Sequence, residues 1–326
     1  MQLPSKLLEF FYLDIDNPQP NNNPKKLSEF TNKPENVNTI NILEVQKIIQ
    51  KLKLEGYLLS TGFDYTENPI TNEKLVSFNY DEAVAKYGSY DFLFYGFKSI
   101  TDRFSESVRP VVITKKDDSI DIGTSFLLGN HHTLVTAKHV VEEAKLIQIK
   151  DLKGNFINAE KIVISKNKNI DIAFILVSEE AFKGIPAFNS TEHKILEEII
   201  TIGYPPIPGF DAIQIFEQAS VNNSIKFSKG QIIAEDKAYI DQIDYFLINA
   251  KVKGGNSGSP VINKLGNVLG MVVQIPIDSE DSSKLDSLGY GIVTPRAEIL
   301  KLINEVSKSD VINLEVLNSS RGLYIK

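Results

Sequence analysis

Three short segments of this chain contain the residue types that nucleophilic catalysis requires. Ser257 lies in Gly-Gly-Asn-Ser-Gly-Ser-Pro (254–260), where glycines on both sides let the backbone turn tightly and expose one hydroxyl. Successive backbone N–H groups in such a turn point to one side and can receive a developing negative charge. The segment predicts an exposed nucleophile beside an oxyanion hole, although many glycine-rich loops without catalytic function have a similar composition.

The other two segments supply a histidine and an aspartate. His139 ends an apolar stretch that begins at Thr133, and Asp171 begins a strongly apolar stretch. Taken alone, each has an ordinary structural explanation: a partly buried histidine, and a turn aspartate that caps its own backbone. However, the order histidine, aspartate, serine is one in which the serine triad is built. The order favours His139, Asp171 and Ser257 as one catalytic set.

The elements that must position these residues are short strands separated by turns. From residue 108 onward, apolar stretches alternate with Gly, Asn and Asp, a pattern typical of a β-barrel or sandwich. Two groups of about six strands predict two barrels, followed by a closing helix over 296–306. The first group is predicted at 110–113, 123–128, 133–136, 145–150, 161–164 and 172–177. The second group is predicted at 198–203, 213–220, 229–234, 246–249, 260–263, 268–275 and 289–293.

Residues 1–105 differ from the rest of the chain in their pattern of apolar and turn residues, and they predict a small α+β domain. Apolar residues at helical spacing predict a helix over 41–54, followed by strands at 56–61 and 74–80, and Asp81 is a suitable N-cap for a second helix. We therefore expect three parts: this domain, a barrel domain at 106–308, and a C-terminal tail at 309–326.

The ordered segments resemble the chymotrypsin-like, or trypsin-like, serine peptidase superfamily, in particular its bacterial HtrA-like and V8-like branches. Thr-Ala-Lys-His-Val-Val (136–141) resembles the histidine motif, Asp-Ile-Ala (171–173) the aspartate motif and Gly-Asn-Ser-Gly-Ser-Pro (255–260) the serine motif. Residues 123–127 resemble the strand before the histidine, and 202–205 resemble the turn that opens the second barrel. The similarity covers roughly 108–306 and leaves out the N-terminal hundred residues.

This resemblance implies a mainly β fold: a chymotrypsin-like double β-barrel with a C-terminal helix, preceded by the α+β domain. It also implies a cofactor-free serine endopeptidase without a metal. His139 would take the proton of Ser257, Asp171 would orient the imidazole, and the N–H groups of Gly255 and Ser257 would form the oxyanion hole.

The resemblance also indicates where a polypeptide substrate would bind. Residues 269–275 correspond to the strand that pairs with the substrate backbone, although they would equally suit a core strand. Lys251 occupies the floor of the primary pocket and Gly291 its wall, so Lys251 would either favour an acidic side chain or point to solvent. The substrate-binding candidates are Lys251, Val272, Val273, Gln274, Ile275 and Gly291.

Three departures from the family limit what the resemblance implies. Val272 stands where the V8-like branch has a glutamate-binding histidine, so glutamyl specificity is not expected. Asn256 replaces the aspartate that trypsin-type enzymes pair with a cleaved N-terminus, so activation by that salt bridge is not expected. About thirty residues follow Arg296, and we therefore expect no PDZ domain.

Composition narrows the partners. The 326 residues are 42% hydrophobic and 24% charged, as in a globular protein, and the formal net charge of −7 disfavours nucleic acid. No apolar run reaches membrane-spanning length, and no signal-like segment is evident. Because cysteine is absent, thiol catalysis is excluded. We expect a cytoplasmic protein because no signal-like segment is evident, and the absence of cysteine is compatible with that location without proving it.

The functional expectation is a bacterial serine endopeptidase that processes one specific protein, in a defence or stress setting. The alternative is a catalytically silent peptide-binding module of the same fold. A further hypothesis is that residues 1–105 recruit or sense a regulatory partner, because an unregulated cytoplasmic peptidase would be hazardous.

Overall fold

The computed structural model divides the chain into two compact units, Met1–Ser99 and Ile100–Lys326. Along the sequence, the structure describes residues 2–15, 23–37, 39–64, 72–150, 155–157, 159–205, 225–237, 243–252, 254–273, 290–306, 308 and 312–317. Within these residues, none of the helices has the length and apolar character that crossing a lipid bilayer demands.

Unit 1 is a small α+β assembly with its own core. The helices α1–α5 span Leu3–Phe11, Leu27–Thr31, Ile42–Leu54, Glu82–Tyr87 and Ser89–Tyr95, and the strands β1–β3 span Lys25–Lys26, Leu59–Phe63 and Glu73–Val76. The predicted helix over 41–54 is confirmed, and the strands predicted at 56–61 and 74–80 form an antiparallel pair with shifted bounds, 59–63 and 73–76. Asp81 caps α4 by accepting from the N–H groups of Ala83 and Val84. The apolar face of α3 packs with Leu7, Leu8 and Phe11 of α1 in one buried cluster.

Unit 2 contains the predicted strands. Its helices are α6 (Phe97–Phe104, which crosses the boundary between the units), α7 (Lys138–Glu142) and α8 (Arg296–Ile303). Strands β4–β10 span Val108–Lys115, Ile120–Leu127, Thr133–Thr136, Ala144–Lys150, Phe156–Ile157, Lys161–Ser165 and Ala173–Leu176. Strands β11–β17 span Glu198–Gly203, Lys226–Lys237, Asp244–Ile248, Pro260–Asn263, Val268–Val273, Gly291–Pro295 and Leu314–Val316. The strand predicted at 213–220 lies outside the described residues.

The second half of unit 2 forms a closed barrel in the order β11-β12-β13-β16-β15-β14. Its apolar interior includes Ile199, Phe246, Val261 and Val293, all fully buried. Successive side chains along a strand point to opposite faces of the sheet, so each strand sends one set of side chains into this interior. The mainly β, double-barrel fold class predicted from the sequence is confirmed, with α8 following the last barrel strand.

The first half differs from the predicted six-stranded barrel. It is one eight-stranded sheet in the order β17-β9-β10-β6-β5-β4-β7-β8. Two short strands account for the difference: β8, and the C-terminal β17 that pairs antiparallel with β9. The segment 309–326, expected to be a tail, therefore contains a strand of the first sheet, while residues 318–326 lie outside the described part.

Strand β17 is fixed to the sheet by its backbone and by one side chain. Leu314 aligns with Ser165, and the N–H groups of Lys166 and Leu317 donate to the carbonyls of Asn313 and Ile162 at 2.9 Å. Leu314 is fully buried. The pairing therefore places Leu314–Val316 beside β9, the strand that precedes the loop carrying Asp171.

We predict that Leu314→Ala lowers the free energy of unfolding by about 2–5 kcal/mol, because it leaves a cavity at a buried site. The matched control is Val316→Ala on the same strand, where the side chain is 46% exposed and the loss should stay below about 1 kcal/mol. Urea unfolding of both variants measures the difference. Equal small losses would mean that β17 contributes nothing to the folded sheet.

Candidate active site

The imidazole of His139 is held by the carboxylate of Asp171. Asp171 Oδ1 accepts the backbone N–H of His139 at 2.9 Å, and Oδ2 lies 2.7 Å from His139 Nδ1. A carboxylate only accepts hydrogen bonds, so Nδ1–H donates to Oδ2, and Nε2 is the ring nitrogen that this contact does not use. The His139 side chain is 38% exposed and that of Asp171 is 12% exposed, so the base is accessible while its carboxylate partner is shielded.

The loop between β9 and β10 positions Asp171. Its ends are joined by a bond from the Ser165 N–H to the Ile172 carbonyl at 3.1 Å, and the Asn167 N–H donates to Ser165 Oγ at 3.2 Å. Lys138, which is buried beside His139, donates from Nζ to the Ser165 carbonyl at 3.0 Å. The same loop is therefore tied to the helix turn that carries the histidine.

Ser257 lies in a turn whose backbone only glycine accommodates easily. Gly255 and Gly258 have φ values of 87° and 88°, in the left-handed region. A Cβ on Gly258 would lie 1.9 Å from the Thr124 carbonyl oxygen, so the turn packs directly on β5. In the part of the chain that the structure describes, the N–H groups of Gly255 and Ser257 donate to no acceptor.

Both barrels hold this turn. On the β5 side, the Thr124 hydroxyl donates to the Gly255 carbonyl at 2.8 Å, and the Thr124 N–H donates to the Ser257 carbonyl at 2.9 Å. On the β15 side, the Gly258 N–H donates to the Val272 carbonyl at 2.8 Å, and the Val272 N–H donates to the Ser259 carbonyl at 2.9 Å. The nucleophile turn is thus anchored on two strands.

The structure brings His139 and Asp171 together and packs the Ser257 turn on the strands beside them. A Cβ on Gly258 would also lie 2.7 Å from Oγ1 of Thr136, at the end of the strand that leads to His139. No hydrogen bond between the Ser257 hydroxyl and the His139 imidazole exists among the described residues. Serine–histidine contacts of this type are often loose without substrate and tighten in the reactive complex.

The predicted substrate-binding residues do not form one group in the structure. Lys251 is exposed, and it is the neighbouring Val252 that packs at Gly291, where a Cβ would lie 2.8 Å from Val252 Cγ2. The backbone N–H and carbonyl of Val272 bond to the serine turn, and its role in substrate binding stays a prediction. Val273 is buried opposite Ile292, and Gln274 and Ile275 lie outside the described residues.

Thr124 is a site residue to which the sequence analysis assigned no role. It falls within the motif 123–127, but its value depends on a contact with Gly255, which is distant in sequence. Its hydroxyl also accepts the Tyr204 N–H at 3.0 Å. Burial raises the pKa of the Tyr204 phenol, with Arg109 acting in the opposite direction, and the phenol donates to the Val108 carbonyl at 3.1 Å. Tyr204 therefore holds the Thr124 hydroxyl through its backbone N–H, while its own phenol is anchored on Val108.

The described residues include no cluster of three or more His, Cys, Asp or Glu side chains suited to a metal ion.

We predict that Asp171→Asn removes the strongly deshielded Nδ1 proton resonance of His139 in a proton NMR spectrum, because a neutral amide cannot supply the charge-assisted part of the 2.7 Å bond. The chain has four histidines, so a His139→Gln spectrum assigns the resonance. As a control, Asp118→Asn changes an exposed aspartate paired with Lys145 and should leave the resonance in place. A resonance unaffected by Asp171→Asn would contradict this pairing.

The chain is similar to known proteins both in sequence and in fold. The family model described as a trypsin-like peptidase domain matches residues 123–271, which include all three candidate catalytic residues.

Two similar curated proteins are named as probable periplasmic DegP-like serine endoproteases. That of Chlamydia trachomatis is 26% identical over 184 residues, covering 56% of this chain and 33% of the relative. That of Rickettsia prowazekii is 28% identical over 200 residues, covering 60% of this chain and 35% of the relative. The present chain therefore matches about a third of the length of each relative.

Two solved structures share the fold. The HtrA-type protease AlgW with a tripeptide has a TM-score of 0.51 and 18% identity, and the match covers 65% of this chain and 63% of AlgW. The active form of the Rv3671c protease from M. tuberculosis has a TM-score of 0.50 and 18% identity, and the match covers 70% of this chain and 89% of that protease. At this identity the likeness concerns the fold.

Proposed function

Because the domain at residues 123–271 belongs to the chymotrypsin-like serine peptidase superfamily, HtrA-like branch, we propose that this chain is a serine endopeptidase that forms an acyl-enzyme on Ser257. The observation that carries the proposal is the double contact between His139 and Asp171, at 2.9 and 2.7 Å. It engages Nδ1 of an accessible imidazole, so that Nε2 is the ring nitrogen that would act as the general base.

In the proposed reaction, Ser257 Oγ attacks the carbonyl carbon of a peptide bond while its proton moves to His139 Nε2. The oxyanion receives hydrogen bonds from the N–H groups of Gly255 and Ser257, each of which lowers the barrier by about 3 kcal/mol. His139 then gives its proton to the leaving amine, and Asp171 stabilises the imidazolium. A water molecule activated by the same imidazole hydrolyses the ester and restores Ser257.

The alternative is a silent peptide-binding module of the same fold. One observation favours it: among the described residues, the Ser257 hydroxyl is not hydrogen-bonded to His139. The two functions differ in covalent chemistry, because a binding module would not react with an electrophile that mimics the acyl transfer.

We predict that a fluorophosphonate probe labels the wild-type protein and that Ser257→Ala abolishes both labelling and peptide hydrolysis, because the attacking oxygen is removed. A matched control is Ser178→Ala, which removes an exposed hydroxyl and should retain both activities. Wild-type turnover that persists in Ser257→Ala would refute the assignment. A wild-type protein that binds peptide but is never labelled would support the binding module.

The substrate class is a polypeptide, and we propose limited processing of one dedicated protein in a bacterial defence or stress setting. A proteome-wide cleavage profile of wild type against Ser257→Ala would identify the residue preferred before the scissile bond and show whether the exposed Lys251 selects acidic side chains. We further propose a cytoplasmic location, which cell fractionation tests; the curated relatives are named as periplasmic proteins.

Unit 1 is proposed to recruit or sense a regulatory partner. It has its own buried core, which includes Leu7, Val45 and Tyr90, and none of its residues belongs to the proposed catalytic set. A folded domain without chemistry of its own is suited to binding.

We predict that deleting residues 1–99 preserves fluorophosphonate labelling of Ser257 but changes the rate or the choice of protein substrate by at least about tenfold, which is the size of a modest coupling free energy. The deletion keeps Ile100 and Phe104, which are fully buried. Cleavage of a natural substrate and of a short peptide should be compared. Unchanged rates on both would refute a regulatory role for unit 1.

A further inference from the structure

We infer that Thr124 is a positioning residue for the oxyanion site, which rests on the proposed peptidase function. Its hydroxyl anchors the Gly255 carbonyl. This restrains the peptide between Gly255 and Asn256, which lies between the two peptides that carry the Gly255 and Ser257 N–H groups. Thr124 would touch neither substrate nor reacting atoms; it acts through the turn.

The hydrogen bonds of the Thr124 hydroxyl have a defined direction. The Tyr204 N–H can only donate, so Thr124 Oγ1 accepts from it at 3.0 Å. The single hydroxyl proton is then free to be donated to the Gly255 carbonyl at 2.8 Å. Thr124 is fully buried, so solvent cannot replace this donor if it is lost.

The backbone of Thr124 joins the serine turn to the histidine strand. Its N–H donates to the Ser257 carbonyl at 2.9 Å, and its carbonyl accepts the Thr136 hydroxyl at 2.7 Å. Thr136 is three residues before His139. Thr124 therefore links the turn that carries Ser257 to the strand that leads to His139.

The turn needs such an anchor because its own backbone restrains it weakly. Gly255 has φ 87°, and glycine adopts the alternative rotations at little cost. The preceding Gly254 has no heavy atom within 4 Å of where a Cβ would stand. Anchoring the Gly255 carbonyl limits rotation about the same Cα that bears the Gly255 N–H. If the peptide between Gly254 and Gly255 rotated about this Cα, the Gly254 carbonyl oxygen rather than the Gly255 N–H would approach the oxyanion.

Packing beneath the turn supports the same arrangement. A Cβ on Gly203 would lie 2.1 Å from Ser259 Oγ, 2.7 Å from Asn256 Oδ1 and 3.2 Å from Thr124 Oγ1. The turn, Thr124 and the end of β11 thus meet in a space that is already filled. The Thr124 hydroxyl stands at the point where it can bond to Gly255 without displacing these neighbours.

The decisive comparison is Thr124→Val, which removes the hydroxyl, against Thr124→Ser, which retains it. We expect Thr124→Val to lower kcat about 100- to 1,000-fold with little change in KM, which is the typical effect of losing one oxyanion donor. The rate of fluorophosphonate labelling should fall in parallel, because the phosphonyl oxygen uses the same N–H groups. Thr124→Ser should restore both rates to within a few-fold of wild type.

A matched control is Thr294→Val. Thr294 is also a buried strand threonine, but its hydroxyl has no hydrogen-bond partner among the described residues, so kcat should not change. Thermal unfolding shows whether each variant is folded at the assay temperature. If Thr124→Val does not fold, Thr124→Ala, which leaves more space, replaces it.

Three outcomes overturn the inference: wild-type kcat in a folded variant that lacks the hydroxyl, equal losses in Thr124→Val and Thr124→Ser, or a change confined to KM. If the wild-type protein shows neither turnover nor labelling, the proposed peptidase function fails. The inference is then decided by hydrogen exchange at the Gly258 and Ser259 amides, whose hydrogen bonds to the Val272 and Asn256 carbonyls hold the turn. Faster exchange in Thr124→Val but not in Thr124→Ser supports the anchor, and equal exchange refutes it.

Discussion

The contact between Asp171 and His139 is the interaction on which the rest of the site depends. Asp171 bonds to the backbone N–H and to Nδ1 of His139, so it fixes both the position and the tautomer of the imidazole. This requires the loop after β9 and the turn after β6 to stay in contact. The adjacent pairing of β10 with β6 and β9 provides that constraint, and the buried Lys138 adds a second connection through Ser165. In the proposed site, the main contribution of the first sheet is therefore to hold the His139 imidazole in a fixed orientation.

In the proposed site, the second barrel supplies the nucleophile and the oxyanion donors, and catalysis would require the two halves to agree in position to within about 0.5 Å. Thr124 and Val272 provide that agreement from opposite sides of the serine turn, since each bonds to it through the backbone. The glycines at 255 and 258 allow the turn to enter this narrow space. The site is thus assembled from local turns that long-range hydrogen bonds hold in place.

The sequence predicted the parts of this protein that depend on local pattern. Strands such as Thr133–Thr136 and Pro260–Asn263 have the predicted bounds, because apolar stretches and turn residues mark them clearly. The chain order of His139, Asp171 and Ser257 indicated the site. Other features depend on partners distant in sequence: the main-chain bonds that occupy Val272, the anchoring hydroxyl of Thr124, and the pairing of β17 with β9. A three-residue strand such as Leu314–Val316 has too few residues to show a period, so only its partner reveals it.

The position of β17 also has a consequence for how the protein matures. Leu314 and Ser165 are partners in the sheet although roughly 150 residues separate them, and contacts between such distant residues slow folding. At about 5–20 residues per second, the ribosome needs roughly 7–30 s to extend the chain from one to the other. Throughout that time the edge of the apolar β9 that will pair with β17 is unpaired. The backbone N–H of Lys166, at the start of the loop that carries Asp171, also has to wait for its acceptor, the Asn313 carbonyl. The serine turn is therefore synthesised before β17. The hydrogen bond that holds the start of the Asp171 loop can form only afterwards, so the site is complete only once synthesis has passed residue 316.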